Sequence, residues 1–276
     1  MGMILIDDQL TKRENAHIDI EDRGYQFGDG IYEVFRVYNG KVFRMQDHLD
    51  RFQRSADEIG LQLPYGLDRL QSFLEQLIET NGLSEGNVYL QASRGVAPRS
   101  HPFPEESRSV LVAYTIEGER PLEYIRNGIR TITEADIRWL RCDIKSLNLL
   151  GAVLAKQKAK EHGCQEAILH RDGTVTEGSS TNVFLVKDGQ LITHPANNLI
   201  LHGITRLVVL ELAEELGIPV KEETFTLEDL RKADEVFITG TTVEISPVVQ
   251  IDDYHVGDGK PGPVVHRLQE AFEKQI

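Results

Sequence analysis

Apolar positions along the chain switch between two periods, and the switches mark out the elements. Residues 31–38 alternate as a strand does, and Asn39-Gly40 is a strong hairpin signal leading into 42–44. Leu49, Phe52, Ala56 and Ile59 then recur at helical spacing, and Gly60 stops that helix. A second helix carries Leu67, Leu70, Leu74 and Leu77 and ends at Asn81-Gly82, and 87–94 and 110–116 read as two more strands. The stretch 117–121 is charged, holds Gly and Pro and has no periodicity, which predicts a boundary between two α+β domains, 1–118 and 119–276.

Beyond that boundary, 128–137 reads as a strand. The apolar stretch 147–155 predicts the start of a helix that closes on Lys156, Lys158, Lys160 and His162 before Gly163, with positive charge where the helix dipole favours it. Segments 166–170, 175–186 and 190–193 predict a β-meander, turning at Arg171-Asp172-Gly173 and Lys187-Asp188-Gly189. Another helix starts near Thr205 and stops at Gly217-Ile218-Pro219, and Thr226-Leu227-Glu228-Asp229 is a capping-box start for a short one. Strands at 235–239 and 244–251 flank a hydroxyl-rich loop, and a last helix runs from about Pro263.

Composition narrows the classes of partner. With 276 residues, 40% hydrophobic and 27% charged, the chain has the make-up of a soluble globular protein. Its 30 basic residues against 44 acidic ones give a net charge of −14, which disfavours nucleic acid, whose phosphates reward clustered Lys and Arg. The two cysteines, Cys142 and Cys164, form neither a CxxC pair nor a disulfide framework, so reduced thiols and no metal site are expected. The longest stretch free of Asp, Glu, Lys and Arg, 189–205, contains two His, two Asn and a Pro, so no membrane span is expected. The N-terminus has no signal-peptide core, and the expected location is the cytoplasm.

Chemistry concentrates in two places. Lys145 stands between Ile144 and Ser146-Leu147, just ahead of the expected helix start. A lysine partly desolvated and facing the positive end of a helix has reason to release its proton, and a neutral amine is what imine formation requires. Alone it would read as a snorkelling side chain. Its company is Glu177-Gly178-Ser179-Ser180-Thr181-Asn182-Val183-Phe184, odd for the middle of a meander. Leu191-Ile192-Thr193 follows, and then Leu201-His202-Gly203-Ile204-Thr205-Arg206, whose helix start offers free N–H groups and a hydroxyl to an anion.

Glu-x-Ser-x-x-Asn-Val-Phe, Leu-x-Thr and Leu-x-Gly-Ile-x-Arg together resemble the long signature of fold-type IV pyridoxal-phosphate enzymes, a family that includes branched-chain aminotransferases, D-amino-acid aminotransferases and aminodeoxychorismate lyase. The resemblance extends over almost the whole chain. The run from Glu21-Asp22-Arg23-Gly24-Tyr25 through Gly28-Asp29-Gly30 to Val34, and that from Asp136 to Asn148, look like bacterial D-amino-acid aminotransferases. The resemblance implies a small N-terminal α/β domain and a larger C-terminal pseudo-barrel domain holding Lys145 and Glu177. It implies pyridoxal 5'-phosphate carried on Lys145, with Glu177 facing the pyridine nitrogen and Leu201 packed on the ring. Arg51, Ile204, Thr205, Gly240 and Thr241 would hold the phosphate. Relatives commonly carry Ser where Gly240 stands, which removes one hydroxyl donor.

Arg99 and His101 alternate around Ser100, so in an extended segment both would point the same way. Arg can clamp a carboxylate through two donors, and His can add a third. In D-amino-acid aminotransferases the matching Arg and His, with the Tyr matching Tyr32, trap the substrate α-carboxylate across a dimer interface. The resemblance therefore implies a homodimeric D-amino-acid transaminase working by ping-pong exchange between D-alanine or D-glutamate and pyruvate or 2-oxoglutarate. The alternatives are an L-branched-chain aminotransferase or aminodeoxychorismate lyase on the same scaffold, and a non-catalytic coenzyme carrier that would not need the carboxylate trap.

Overall fold

Six antiparallel strands form the sheet of the first unit: β1 (Met3–Ile6), β2 (Gln9–Lys12), β3 (Gly30–Tyr38), β4 (Lys41–Val42), β5 (Gly86–Ser93) and β6 (Val110–Glu117), in the order β2-β1-β6-β5-β3-β4. These come from a computed structural model that describes residues 2–106 and 108–276. A short helix, α1 (Arg23–Phe27), precedes β3, and α2 (Met45–Glu58) and α3 (Leu67–Asn81) supply the cover. Alternate residues of the strands face those helices: Ile31, Phe35, Val37, Val88, Leu90, Leu111 and Ala113 pack with Leu49, Phe52, Leu70, Leu74 and Leu77 in one buried cluster. The β1–β2 hairpin was not legible as periodicity because each strand has only four residues; its turn is marked by Asp7 in the left-handed region.

The second unit contains α4 (Leu122–Asn127), β7 (Ile129–Ala135), α5 (Leu150–Glu161), β8 (Glu166–Arg171), β9 (Thr174–Gly178), β10 (Asn182–Lys187) and β11 (Gln190–Thr193). It continues with α6 (Ile204–Glu215), β12 (Val220–Glu222), α7 (Leu227–Arg231), β13 (Glu235–Gly240), β14 (Glu244–Ile251), β15 (Tyr254–His255) and α8 (Pro263–Glu273). The sheet runs β12-β11-β10-β13-β14-β7-β8-β9, with β15 added to β14. Val175 near one end of that order, Val183 and Leu185 near the other, and Ile129, Ile168, Val236, Ile238 and Val248 between them share one apolar cluster. A sheet whose distant strands meet on one core must curl, and this gives the α+β fold its half-barrel. On the opposite face, Phe184 and Phe237 stack at 4.9 Å.

The two units divide after Arg120, and Ile144–Asn148 packs with the first unit although the chain on either side belongs to the second. Lys145 was expected in the larger C-terminal domain; its contacts lie in the smaller one. The reason is backbone pairing: the Tyr32 N–H donates to the Lys145 carbonyl at 2.9 Å and the Leu147 N–H to the Gly30 carbonyl at 3.0 Å. The same pairing corrects the expected helix at 147–155, which starts only at Leu150. The expected strand 175–186 is also two strands, β9 and β10, because the hydroxyls of Ser179, Ser180 and Thr181 turn inward onto the buried Glu166 carboxylate.

Leu74 tests the first core. It is 1% exposed, and Leu74→Ala should cost about 2–5 kcal/mol in a urea titration, whereas a loss well under 1 kcal/mol would place the core elsewhere.

Candidate active site

Three groups of side chains gather the residues of interest. In the first unit, the Lys145 ammonium nitrogen lies 4.2 Å from the centroid of the Tyr32 ring, which in turn stacks on Tyr89 at 5.8 Å. The Lys145 backbone N–H donates to Ser55 Oγ at 3.3 Å, on the same helix as Arg51 and one turn along it. Lys145 sits on an extended segment between β3 and α2.

Beside it is a buried charge cluster. Glu33, fully buried, accepts from Arg51 Nε at 3.0 Å and Nη2 at 2.7 Å, and meets His48 Nδ1 at 3.0 Å. Burial alone would raise the Glu33 carboxyl, but the Arg51 guanidinium and then His48 overcome it and hold the group well below the usual carboxylate range. Burial lowers His48 in spite of Glu33, with Arg51 and Lys145 adding to the effect. A neutral imidazole can meet a carboxylate only through its N–H, so Nδ1 carries the proton and donates. One carboxylate thus fixes the guanidinium of Arg51 in a dry site.

A second group lies on α1. The Arg99 guanidinium is 4.9 Å from the Phe27 ring centroid and the His101 ring 5.6 Å from it. The two exposed side chains expected to share a side therefore meet one aromatic ring, whereas the ring contacts of Tyr32 are to Lys145 and Tyr89.

The third group belongs to the second unit. Glu177, 4% exposed, accepts from Arg138 Nη1 at 2.5 Å, Asn182 Nδ2 at 3.0 Å and the Leu201 N–H at 2.9 Å. Arg138 is held by both oxygens of Asp136, which Arg171 and Thr176 also engage. Burial pushes the Glu177 carboxyl up to about 7 against the charge of Arg138. Asn182 also donates to the Leu201 carbonyl at 2.8 Å, and a Cβ on Gly203 would fall 2.1 Å from Asn182 Oδ1. Only glycine lets the start of α6 come this close, and Gly203 caps that helix without a side-chain bond, so Ile204 and Thr205 present uncapped first-turn N–H groups. Thr239 pairs directly with Asn182 across the sheet and shares its face; its hydroxyl is buried with no partner. At the end of the same strand, a Cβ on Gly240 would lie 3.2 Å from Val243 Cγ2 and 3.5 Å from Thr181 Cγ2, and Thr241 follows in the loop to β14.

Residues 30–251 match the family of class IV amino-transferases. The chain belongs to that family. It is 51% identical over 277 residues to a D-alanine aminotransferase of Staphylococcus aureus strain MW2, covering all of this chain and 98% of the relative. It is 52% identical over 276 residues to a D-alanine aminotransferase of Listeria monocytogenes strain 10403S, covering 99% and 96%. Among solved structures, the branched-chain amino acid aminotransferase of Escherichia coli superposes with a TM-score of 0.94 at 30% identity, over 99% of this chain and 94% of that one. A putative 4-amino-4-deoxychorismate lyase from Legionella pneumophila gives 0.83 at 26% identity, over 96% and 97%.

Class IV aminotransferases use pyridoxal phosphate, and the residues present suit it. The uncapped start of α6 and the orphaned Thr239 hydroxyl are donors in want of an anion. Glu177 is a buried acid able to hold a proton against a ring nitrogen near neutral pH.

The sequence alone assigns no role to Glu33, His48, Asp136, Arg138, Asn182 or Thr239. Glu33 left a signal: it is a charge on the inward phase of an alternating strand, between Ile31 and Phe35, and His48 and Arg51 stand three apart on a helix. Glu33→Gln removes the countercharge of a buried guanidinium and should cost about 3–5 kcal/mol at neutral pH. Because folding lowers the Glu33 pKa, its stabilisation is complete above the ordinary value of 4.5 and is lost as pH falls below it. Denaturation curves of parent and variant should converge on acidification; a gap independent of pH would contradict the pairing.

Proposed function

We propose that this protein is a D-amino-acid transaminase, taking the amino group of D-alanine or D-glutamate and passing it to pyruvate or 2-oxoglutarate in a ping-pong cycle. The observation that carries the reading is the half-identity, over the full length, to relatives named D-alanine aminotransferase, against 30% to the branched-chain enzyme and 26% to the lyase. A passive coenzyme carrier would have no use for a carboxylate-binding arm, and Arg99 and His101 share one ring here.

Bound pyridoxal phosphate supplies an electron sink that lets an amino acid lose its Cα proton. Lys145 would hold the coenzyme, and its Nζ would move that proton. Glu177, raised to about 7 by burial and steadied by Arg138 and Asn182, would keep a proton at the pyridine nitrogen. Arg51, fixed by Glu33, would hold the phosphate, a role that the N–H groups of Ile204 and Thr205 and the Gly240-Thr241 loop would also serve. Leu201, whose N–H is bonded to Glu177, would pack against the coenzyme. Tyr32, Arg99 and His101 clamp the α-carboxylate. With the proton handled from one side by Lys145, the side on which the carboxylate is clamped decides which enantiomer reacts.

A homodimer completes the reading, with Arg99 and His101 serving the neighbouring subunit. Its support is apolar surface in the second unit: Leu150, Val153 and Leu154 share one face of α5 and are 71%, 55% and 52% exposed, and Ile137 and Leu140 are exposed at 68% and 63%. Among the described residues no helix is long and apolar enough to cross a membrane, and the two free thiols suit the cytoplasm.

Alanine of each hand, assayed with 2-oxoglutarate, tests the function: D-alanine should be turned over at least about a hundredfold faster, and turnover of the L-form alone would refute it. Sedimentation tests the assembly. The parent should run as a dimer and a Leu150→Glu/Leu154→Glu protein as an inactive monomer, whereas a fully active parent monomer would remove the shared site.

A further inference from the structure

The segment Asp22–Asp29, prominent in the sequence, has no part in the mechanism above, yet it organises the loop that carries Arg99 and His101. Asp22 caps α1 by accepting from the Gly24 N–H at 2.8 Å, and it also accepts from Ser93 Oγ at 2.7 Å at the end of β5. The Arg23 N–H donates to the Gly95 carbonyl at 2.9 Å. The helix is thereby fastened to the root of the loop between β5 and β6.

Arg23 then reaches along that loop. It is 3% exposed, and its guanidinium donates to three successive carbonyls: Ser100 at 2.6 Å, His101 at 3.2 Å and Pro102 at 3.4 Å. Its Nε donates to Asp29 at 2.8 Å, and Asp29 is gripped from the other side by Arg94, which also donates to the Ile59 and Gly60 carbonyls after α2. Phe27 lies under the assembly, with Arg23 at 4.8 Å, Arg99 at 4.9 Å and the His101 ring at 5.6 Å from its centroid. An exposed loop without regular structure would otherwise order itself at each binding event, at a cost in affinity. Five donors in a rigid fork suit the task of pinning several carbonyls at once, and a lysine could not replace them.

We propose that Arg23 and Phe27 are positioning residues for substrate recognition: Arg23 fixes the backbone that bears Arg99 and His101, and Phe27 sets the direction of their side chains. The inference rests on the reading that Arg99 and His101 bind the substrate carboxylate. Loosening the arm should weaken capture of the carboxylate and leave the proton transfer at Lys145 intact, so the effect belongs in KM.

The experiment uses the coenzyme-loaded enzyme with D-alanine and 2-oxoglutarate and compares Arg23→Met, Phe27→Leu, Phe27→Tyr and Arg99→Met. Arg23→Met and Phe27→Leu should each raise the KM for D-alanine about tenfold with kcat within about threefold of the parent, while Phe27→Tyr, which keeps the ring, stays close to it. Arg99→Met should raise KM further. A raised KM in Arg99→Met beside unchanged values in Arg23→Met and Phe27→Leu would overturn the inference alone. An unchanged KM in Arg99→Met would overturn the carboxylate reading and the inference with it. A fall in kcat at constant KM would show a merely structural role, and the Phe27 pair decides the matter if Arg23→Met does not fold.

Discussion

Three hydrogen bonds of a five-residue stretch govern the candidate chemistry. Tyr32 N–H to the Lys145 carbonyl, Leu147 N–H to the Gly30 carbonyl and Lys145 N–H to Ser55 Oγ tie the Ile144–Asn148 segment to β3 and α2 of the first unit. Extended pairing fixes which way alternate side chains point, so the lysine amine is set over Tyr32 by the backbone itself. Backbone bonds of this kind do not depend on the identity of the side chain they orient. Chemistry at Lys145 can thus be removed without removing the frame.

Two buried glutamates show how one residue type is set to opposite tasks. Glu33 is surrounded by Arg51 and His48 and stays a permanent anion, which makes it a countercharge and an anchor. Glu177 is as deeply buried but shares Arg138 with Asp136, and burial raises it to about 7. It can hold a proton at neutral pH and still return to the carboxylate. The first fixes a cation; the second is free to work with one.

The strands and helices with strong periodicity were legible in the sequence: β3, α2, α3, β5, β6 and β14 follow directly from alternation or helical spacing bounded by Asn-Gly, Gly and Pro. Short elements such as β1, β2 and α1 were not, since four or five residues contain too few repeats to reveal a period. The break at Ser179–Thr181 and the extended course of Ile144–Asn148 were hidden for another reason. Both are imposed by partners remote in sequence, the Glu166 carboxylate and the edge of β3. The signature residues proposed for the site stand out in the sequence because their types and spacings are unusual. Of their supports, Glu33 left a signal as an inward charge in an alternating strand, whereas Arg138 and Asp136 left none, because each acts through a neighbour that folding brings to it.

Everything proposed for the chemistry requires that the amine of Lys145 carry the coenzyme. Reducing the coenzyme-loaded protein with borohydride, digesting it and locating the label by mass spectrometry tests this directly. The account predicts one phosphopyridoxyl group per chain, on the peptide containing Lys145; a label on any other lysine, or none after reduction of an active preparation, would contradict it.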